Sequence, residues 1–271
     1  MNDIKYNMYT RKLISHIAKK PDYWHLAYQC EELPDESCYA LLSESLKKLY
    51  VGVPFEYIIG WTEFYKFRFQ VTENVLIPRE ETEILVEQSI ITLTNCIKNN
   101  LKILELGVGS GAIISSILLS TSKLISAMAT DCSVEALSEA KKNSIRLGVD
   151  IAFKLGDWWD ALNSAEDGPF DLIVTNPPYV GTEQNNEKHT LSGYEPAISL
   201  YGREPSQSGT KDAMKIINKA SDWLEDGGRL LIEHGFNQRK VLSDFALSKG
   251  LFVLEQIDDL SGLPRVLILG K

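Results

Sequence analysis

Apolar residues at helical spacing mark the first part of the chain. One apolar stripe runs from Ile4 to Ile17, and a second helix is predicted from Asp22 towards Glu32. Asp35 stands where an N-cap is expected, just before a third stripe that is rich in leucine. Nothing in this region alternates with the period of a strand. The pattern therefore predicts a small helical domain over residues 1–60.

The pattern changes after this region to aromatic and β-branched residues. Apolar side chains alternate at Phe67, Phe69 and Val71, a period of two that favours a strand. Glu73-Asn74 then supplies residues that favour a turn. We therefore predict a β-hairpin linker over residues 61–78.

Patterns typical of helices and of strands alternate over residues 79–271. Helices are predicted at 80–91, from about 110, and at 133–146, 212–224 and 238–249. Strands are predicted at 102–106, 124–130, 151–154, 170–175, 229–233, 251–256 and 266–269. Residues 181–210 have no period and predict a long polar loop. The alternation predicts an α/β fold, a mostly parallel sheet with helices on both faces.

A glycine-rich turn, Gly107-Val108-Gly109-Ser110-Gly111, joins the first of these strands to the helix that follows. Glycines let the backbone approach a ligand closely, and a helix N-terminus presents free N–H groups. Glu105 can accept from a ligand ammonium group, and Asp131, at the end of the next strand, can bind both hydroxyls of a ribose. These features predict an adenosyl ligand. The G-x-G-x-G spacing fits a ligand without phosphate better than a dinucleotide; an NAD-dependent oxidoreductase and a ligand-free turn are the alternatives.

The sequence Asn176-Pro177-Pro178-Tyr179 follows a predicted strand directly. Prolines cannot continue a sheet, so they hold the Asn176 side chain and the Pro177 carbonyl beyond the edge of the strand. Both groups have oxygens that can accept hydrogen bonds from one NH₂ group. These two oxygens would stabilise the positive charge that develops on the nitrogen during methyl transfer. Tyr179 can offer an aromatic face to the substrate or to a methyl sulfonium. The motif predicts methyl transfer to a planar amide or amino nitrogen, with Asn176, Pro177 and Tyr179 as catalytic residues; a rigid surface turn is the structural alternative.

Two common NH₂ groups suit such a clamp, the side-chain amide of glutamine and the amino group of adenine. The chain has a formal net charge of −9 and a pI of about 5.1, and it contains no block of consecutive Lys and Arg. Enzymes that grip DNA or RNA by its phosphates usually have the opposite balance. Charge therefore favours a protein substrate and argues against nucleic acid, with adenine-N6 methylation of DNA or RNA as the alternative.

The cysteines and the start of the chain bear on metals, membranes and location. The four cysteines lie far apart without paired spacing, which predicts no metal site and a reducing compartment. The chain starts without an apolar signal segment, and no apolar stretch is long and continuous enough to span a membrane. We expect a cytoplasmic protein without membrane contact.

With these motifs in place, the chain resembles the protein-(glutamine-N5) methyltransferases that modify peptide chain release factors. The most telling match is Tyr57-Ile58-Ile59-Gly60, then Phe64, and then the run from Val75 to Glu83. Further matches are Asn143 to Gly148, Gly156-Asp157-Trp158, Glu195-Pro196, Gly227-Gly228, and Leu260-Ser261-Gly262 with Arg265. The resemblance spans about residues 50–270. It implies a Rossmann-like class I S-adenosylmethionine methyltransferase sheet, preceded by the helical domain and the hairpin linker.

The resemblance also implies a reaction, the transfer of a methyl group from S-adenosylmethionine to N5 of the glutamine in the Gly-Gly-Gln motif of a release factor. The residues that would bind the cofactor are Glu105, Gly107, Val108, Gly109, Ser110, Gly111, Asp131, Trp158 and Asn176. Among them, Asp131 would hold the ribose and Trp158 would flank the adenine, a core tryptophan being the alternative for Trp158. The residues that would bind the glutamine are Asn176, Pro177, Pro178 and Tyr179. The N-terminal helices would dock the rest of the release factor.

Three positions depart from the family's pattern. Glu80 stands where the family usually has proline, and Tyr194 replaces the usual histidine before Glu-Pro. Arg203 interrupts the family's glycine-rich run, so the contacts of that loop cannot be carried over. A catalytically silent adaptor is a further alternative, which the loss or retention of methyl transfer on substitution of Asn176 would distinguish.

Overall fold

The computed structural model describes residues 2–20, 35–182 and 193–271, and the chain divides into two compact units, residues 1–61 and 62–271. The smaller unit contains α1 (Asn2–Ile17), α2 (Glu36–Tyr50) and α3 (Phe55–Ile59). Asp35 caps α2 as predicted, accepting from the Cys38 backbone N–H at 3.0 Å. Leu13, Phe55 and Ile59 form one buried cluster of this unit, and Ile14 and Cys38 form another. The helix predicted from Asp22 towards Glu32 lies outside the described residues.

A β-hairpin follows as predicted, and its turn lies at residues that the sequence did not single out. The strands are β1 (Trp61–Phe64) and β2 (Phe67–Gln70), which leaves Tyr65 and Lys66 as the turn. Tyr65 has a left-handed backbone with φ of +58°, the conformation that a two-residue hairpin turn demands. Because neither residue is glycine or asparagine, no local pattern in the sequence indicated a turn at Tyr65 and Lys66. The turn predicted at Glu73-Asn74 is confirmed, and it lies after β2, separate from the turn of the hairpin.

Helices and strands alternate through the larger unit as predicted, with shifted ends. A 3₁₀ turn (Glu80–Thr82) begins this series, which continues as α4 (Glu83–Asn95), β3 (Asn100–Leu106), α5 (Ala112–Leu119), β4 (Leu124–Asp131), α6 (Val134–Leu147), β5 (Ala152–Leu155), a 3₁₀ turn (Trp158–Ala161), β6 (Phe170–Thr175), α7 (Ala197–Tyr201), α8 (Lys211–Trp223), β7 (Leu224–Glu233), α9 (Arg239–Ser248), β8 (Phe252–Asp258) and β9 (Pro264–Gly270). The interval 181–210 is not entirely loop, because it contains α7. That helix of five residues is too short to show a period.

The strands form a seven-stranded sheet in the order β5-β4-β3-β6-β7-β9-β8. β5, β4, β3, β6 and β7 run parallel, and β9 is antiparallel to both β7 and β8. The chain winds outward from β3 to β5 and then returns to β6 on the other side of β3. Such a switch point opens a crevice at the carboxyl ends of the strands. Leu106 is in register with Thr130 on β4 and with Thr175 on β6. The residues that follow these three strands therefore share one edge of the sheet.

Successive strand residues supply the cores on the two faces of the sheet, because side chains alternate along a strand. Ile103 belongs to one core and Leu104 to the other; on β6, Leu172 and Ile173 divide in the same way. The cores hold the central strands in place from both sides. Within residues 2–20, 35–182 and 193–271, every helix is too short or too polar to cross a lipid bilayer.

Candidate functional site

A cleft opens along the carboxyl edge of the central strands and encloses about 1090 Å³ of empty space, including its open mouth. Its described walls come from the glycine turn, the ends of β4 and β6, the segment 74–82, and α7 with the residues up to Arg203. The cleft occupies the switch point of the sheet, where the sequence predicts an adenosyl ligand.

The glycine turn passes under one end of the cleft. Gly107, Gly109 and Gly111 all have positive φ, of +74°, +52° and +79°, which explains why glycine recurs at every second position. Gly107, Val108, Gly109 and Ser110 line the cleft. Gly111 has a packing role instead, since an added Cβ would lie 3.3 Å from the Ala140 backbone of α6.

Two acids lie beside this turn, Glu105 buried and Asp131 half-buried. One oxygen of Glu105 accepts from the Ile114 backbone N–H at 3.0 Å, and Asp131 accepts from Gly109 at 3.0 Å and from Ser133 at 2.9 Å. Burial, with the charge of Asp131 added to it, raises the pKa of Glu105 well above its usual range. Burial also raises the pKa of Asp131, against the effect of its hydrogen bonds. Both carboxylates border the cleft and favour a ligand that brings positive charge or hydroxyl donors.

Trp158 forms a flat wall at the same end. Its ring packs so closely on the glycine turn that a Cβ on Gly107 would meet it at 3.2 Å. The indole N–H donates to Asp212 at 3.2 Å, which fixes the plane of the ring. Arg203 also lines this end of the cleft, and its guanidinium lies 4.0 Å from the Asp157 carboxylate. Trp158 is thus a cleft residue and not a core tryptophan.

The Asn-Pro-Pro-Tyr motif follows β6 at the other end of the cleft. Asn176 and Pro178 line it, and the Asn176 amide Nδ2 donates to the Thr82 hydroxyl at 3.1 Å. That contact uses the nitrogen side of the amide, so Oδ1 is the atom available as an acceptor. Neither Pro177 nor Tyr179 is among the described residues that line the cleft, and Pro177 is buried.

Tyr179 instead extends towards a buried acid that the sequence did not single out. Burial and the nearby charge of Glu233 raise the pKa of the Tyr179 hydroxyl. The Tyr179 carbonyl accepts from Gln238 at 2.9 Å, and Gln238 also donates to the Ser208 carbonyl at 2.7 Å. Glu233 and Gln238 therefore support the Asn-Pro-Pro-Tyr motif from outside the cleft. An acid at the end of a buried strand was the one sequence signal that could have indicated Glu233.

The segment before α4 is tied to the loop after the motif. Glu195 is buried, accepts from the Ile77 backbone N–H at 3.2 Å, and pairs with Arg79 at 2.5 Å. These residues belong to two of the motifs that carried the family resemblance, Val75 to Glu83 and Glu195-Pro196. Arg79 and Thr82 line the cleft. Within the described chain, no cluster of three or more His, Cys, Asp or Glu side chains is arranged to hold a metal ion.

Comparison with known proteins agrees with this geometry. A family model described as a methyltransferase domain matches residues 97–256. The release factor glutamine methyltransferase of Neisseria gonorrhoeae is 36% identical over 264 residues, which cover 96% of this chain and 92% of that protein. The release factor glutamine methyltransferase of Buchnera aphidicola subsp. Schizaphis graminum is 34% identical over 255 residues, covering 94% and 88%. A methyltransferase structure from Pyrococcus furiosus has a TM-score of 0.53 at 17% identity, covering 88% of this chain and 100% of that one, and this likeness concerns the fold alone.

Proposed function

The chain belongs to the release factor glutamine methyltransferase family, and from that premise we propose which of its residues perform the reaction. It is an enzyme that methylates a release factor glutamine with S-adenosylmethionine as methyl donor. The finer assignments are that the methyl group goes to the amide nitrogen N5, within a Gly-Gly-Gln motif, and that Asn176 holds that nitrogen. The observation that carries the proposal is the Asn176 amide, fixed by Thr82 at 3.1 Å at the wall of the cleft.

The cofactor end of the cleft fits S-adenosylmethionine by the chemistry of its walls. Glu105 can accept from the ammonium group and Asp131 from the ribose hydroxyls, while the flat face of Trp158 suits an adenine ring. The backbone of Gly107 and Gly109 allows the close approach that a side chain would block. When bound, S-adenosylmethionine supplies an electrophilic methyl group on its sulfonium. The carboxylates of Glu105 and Asp131 would repel a phosphate, in keeping with an adenosyl ligand that has none.

The substrate end acts on the nitrogen by orientation and electrostatics. Asn176 Oδ1 and the Pro177 carbonyl accept the two N–H bonds of the glutamine amide, which turns the nitrogen lone pair towards the methyl donor. The same two oxygens stabilise the positive charge that develops on the nitrogen. The proton leaves after methyl transfer, so the reaction requires no general base. Tyr179, the last residue of the motif, is held in place beside Glu233. In this proposal it shapes the pocket for the glutamine side chain.

The small helical unit is the part of the chain suited to hold the release factor. In this proposal residues 1–60 dock the body of the substrate, 61–78 serve as linker, and 79–271 form the methyltransferase domain. Exposed apolar side chains on α2, Tyr39 and Leu41, give that unit a surface for a protein partner. A cytoplasmic location, where release factors act, stays a prediction.

The test of the proposed function is methyl transfer from labelled S-adenosylmethionine to a purified release factor. We expect label in the peptide that contains the Gly-Gly-Gln motif, and none when its glutamine is replaced by alanine. Asn176→Ala should lower kcat/KM by about 100-fold to 1000-fold, mostly through kcat, because one acceptor of the clamp is lost. Asn95→Ala, an exposed asparagine at the end of α4, is the matched control and should leave the rate unchanged.

DNA and RNA are incubated in parallel, because adenine offers a similar NH₂ group. The names of the relatives do not favour that alternative. Label in nucleic acid with none in the release factor would refute the proposed function. Full activity of Asn176→Ala would leave the reaction in place but refute the clamp.

A further inference from the structure

Glu233 is a buried acid that the reaction described above does not use. It is the last residue of β7 and has no exposed surface. Ile232 is in register with Thr175, so Glu233 and Asn176 are the next residues on two neighbouring parallel strands. Strand register therefore holds the carboxylate beside the start of the Asn-Pro-Pro-Tyr motif, behind the wall of the cleft.

The groups around Glu233 come from three separate parts of the larger unit. The hydroxyls of Thr82 and Tyr179 lie near its carboxylate, and the charges of Arg265 and Glu81 act on it with opposite signs. Neither carboxylate oxygen makes a hydrogen bond of normal geometry to a described residue. Contacts at catalytic sites are often long before the substrate binds and shorten in the complex. Glu233 is thus an acceptor with two hydroxyl donors at hand.

We propose that Glu233 is a positioning residue for methyl transfer, whose carboxylate accepts from both Thr82 and Tyr179 and thereby fixes the orientation of the Asn176 amide. This inference rests on the proposed function. Its basis is the direction of the hydrogen bonds. The Thr82 hydroxyl has one proton; if that proton goes to Glu233, which accepts only, the hydroxyl must accept from Asn176 Nδ2. Oδ1 of Asn176 then faces the cleft, where the glutamine N–H is expected.

The ionised form of Glu233 is the one that sets this direction. A protonated carboxyl would itself donate to one hydroxyl, and the Asn176 amide could turn its NH₂ towards the cleft. Burial raises the pKa of Glu233 to about 7, against the favourable charge of Arg265 and the two hydroxyl contacts. The charged and titratable groups that face it are Arg265 from β9, Tyr179 from the loop after β6, and Glu81 from the 3₁₀ turn before α4. The rate should therefore decrease as the pH falls through this region.

The experiment compares Glu233→Gln, Thr82→Val and the double variant with the wild-type enzyme on the full-length chain. Each single change should lower kcat by about 10-fold to 100-fold and leave the Kd for S-adenosylmethionine within about threefold. The double variant should be no slower than the slower single variant, because both changes break one chain of contacts. Glu139→Gln, a buried acid of α6 that pairs with Lys142 at 2.8 Å outside the cleft, is the control and should keep the wild-type rate.

A pH profile separates a positioning role from a merely structural one. Wild-type kcat should fall below about pH 7, and Glu233→Gln should lack that limb. Wild-type kcat in Glu233→Gln, or losses that multiply in the double variant, would overturn the inference. So would a lost rate with an equal loss of cofactor affinity and thermal stability. If the wild-type enzyme methylates no release factor, the proposed function fails instead.

Discussion

At the scale of single residues, Glu105 shows how burial prepares the cleft for a charged ligand. Its carboxylate is buried, contacts the start of α5, and lies near a second acid. Burial and Asp131 raise its pKa, so the free enzyme keeps a proton there at a pH where an ordinary glutamate has lost it. A bound ammonium group favours the ionised carboxylate, so cofactor binding is coupled to the release of that proton.

We therefore predict that S-adenosylmethionine binds more tightly as the pH rises, until the pH passes the raised pKa of Glu105. Calorimetry in two buffers with different ionisation enthalpies should detect the released proton. Glu105→Gln should abolish the release and weaken binding by about tenfold or more, because a charge-assisted contact is lost. Equal heats in both buffers for the wild-type enzyme would contradict this account.

At the scale of elements, one buried asparagine of α6 connects the hairpin to the glycine turn. Asn143 Nδ2 donates to the carbonyls of Gln70 and Ser110, both at 2.9 Å, and its Oδ1 accepts from the Gln70 N–H at 2.8 Å. Phe64 and Phe69 of the hairpin also enter the core on that face of the sheet. The hairpin is therefore a structural support for the glycine turn of the cleft.

Asn143→Ala should destabilise the protein by about 2–4 kcal/mol, because it leaves three backbone groups without their partner. It should also raise the Kd for S-adenosylmethionine, since the Ser110 end of the glycine turn loses its anchor. Thermal unfolding and calorimetry measure the two effects. Asn95→Ala, the exposed control, should stay within about 0.5 kcal/mol of the wild type. Unchanged cofactor affinity in folded Asn143→Ala would show that the hairpin does not support the turn.

At the scale of the whole molecule, the two compact units suggest separate tasks. Both large core clusters consist entirely of residues in the unit 62–271. Every described residue that lines the cleft also belongs to that unit. The smaller unit has a core of its own around Leu13 and Phe55. The cleft therefore belongs to the larger unit. In our proposal that unit binds the cofactor and performs the chemistry, and the smaller unit adds affinity for the release factor.

A chain reduced to residues 62–271 should fold and bind S-adenosylmethionine within about threefold of the intact enzyme. Its KM for an intact release factor should rise by at least about tenfold, the loss expected when roughly 1.4 kcal/mol of docking energy is removed. A short peptide containing Gly-Gly-Gln serves as the control, because both proteins should methylate it equally. Wild-type kinetics of the shortened chain on the intact release factor would refute the docking role.

The sequence by itself determined the alternation of strands and helices, the glycine turn and the Asn-Pro-Pro-Tyr motif. These features follow from local physics, because periodicity, positive φ and proline geometry depend on neighbouring residues. The family resemblance singled out the segment from Val75 to Glu83 but did not indicate what that segment contacts. The left-handed turn at Tyr65 had no local signal, since its neighbours and not its own residue type impose that conformation.

Only the tertiary structure decided which side chains meet behind the cleft. Thr82 contacts Asn176 across 94 positions of sequence, and Glu195 bonds to Ile77 across 118. Glu233 comes to lie beside the motif because β7 pairs with β6 in one particular register. Such contacts depend on strand order, and no local pattern of residues encodes that order. The sequence therefore determined which groups we propose to react, whereas the fold determined how those groups are oriented.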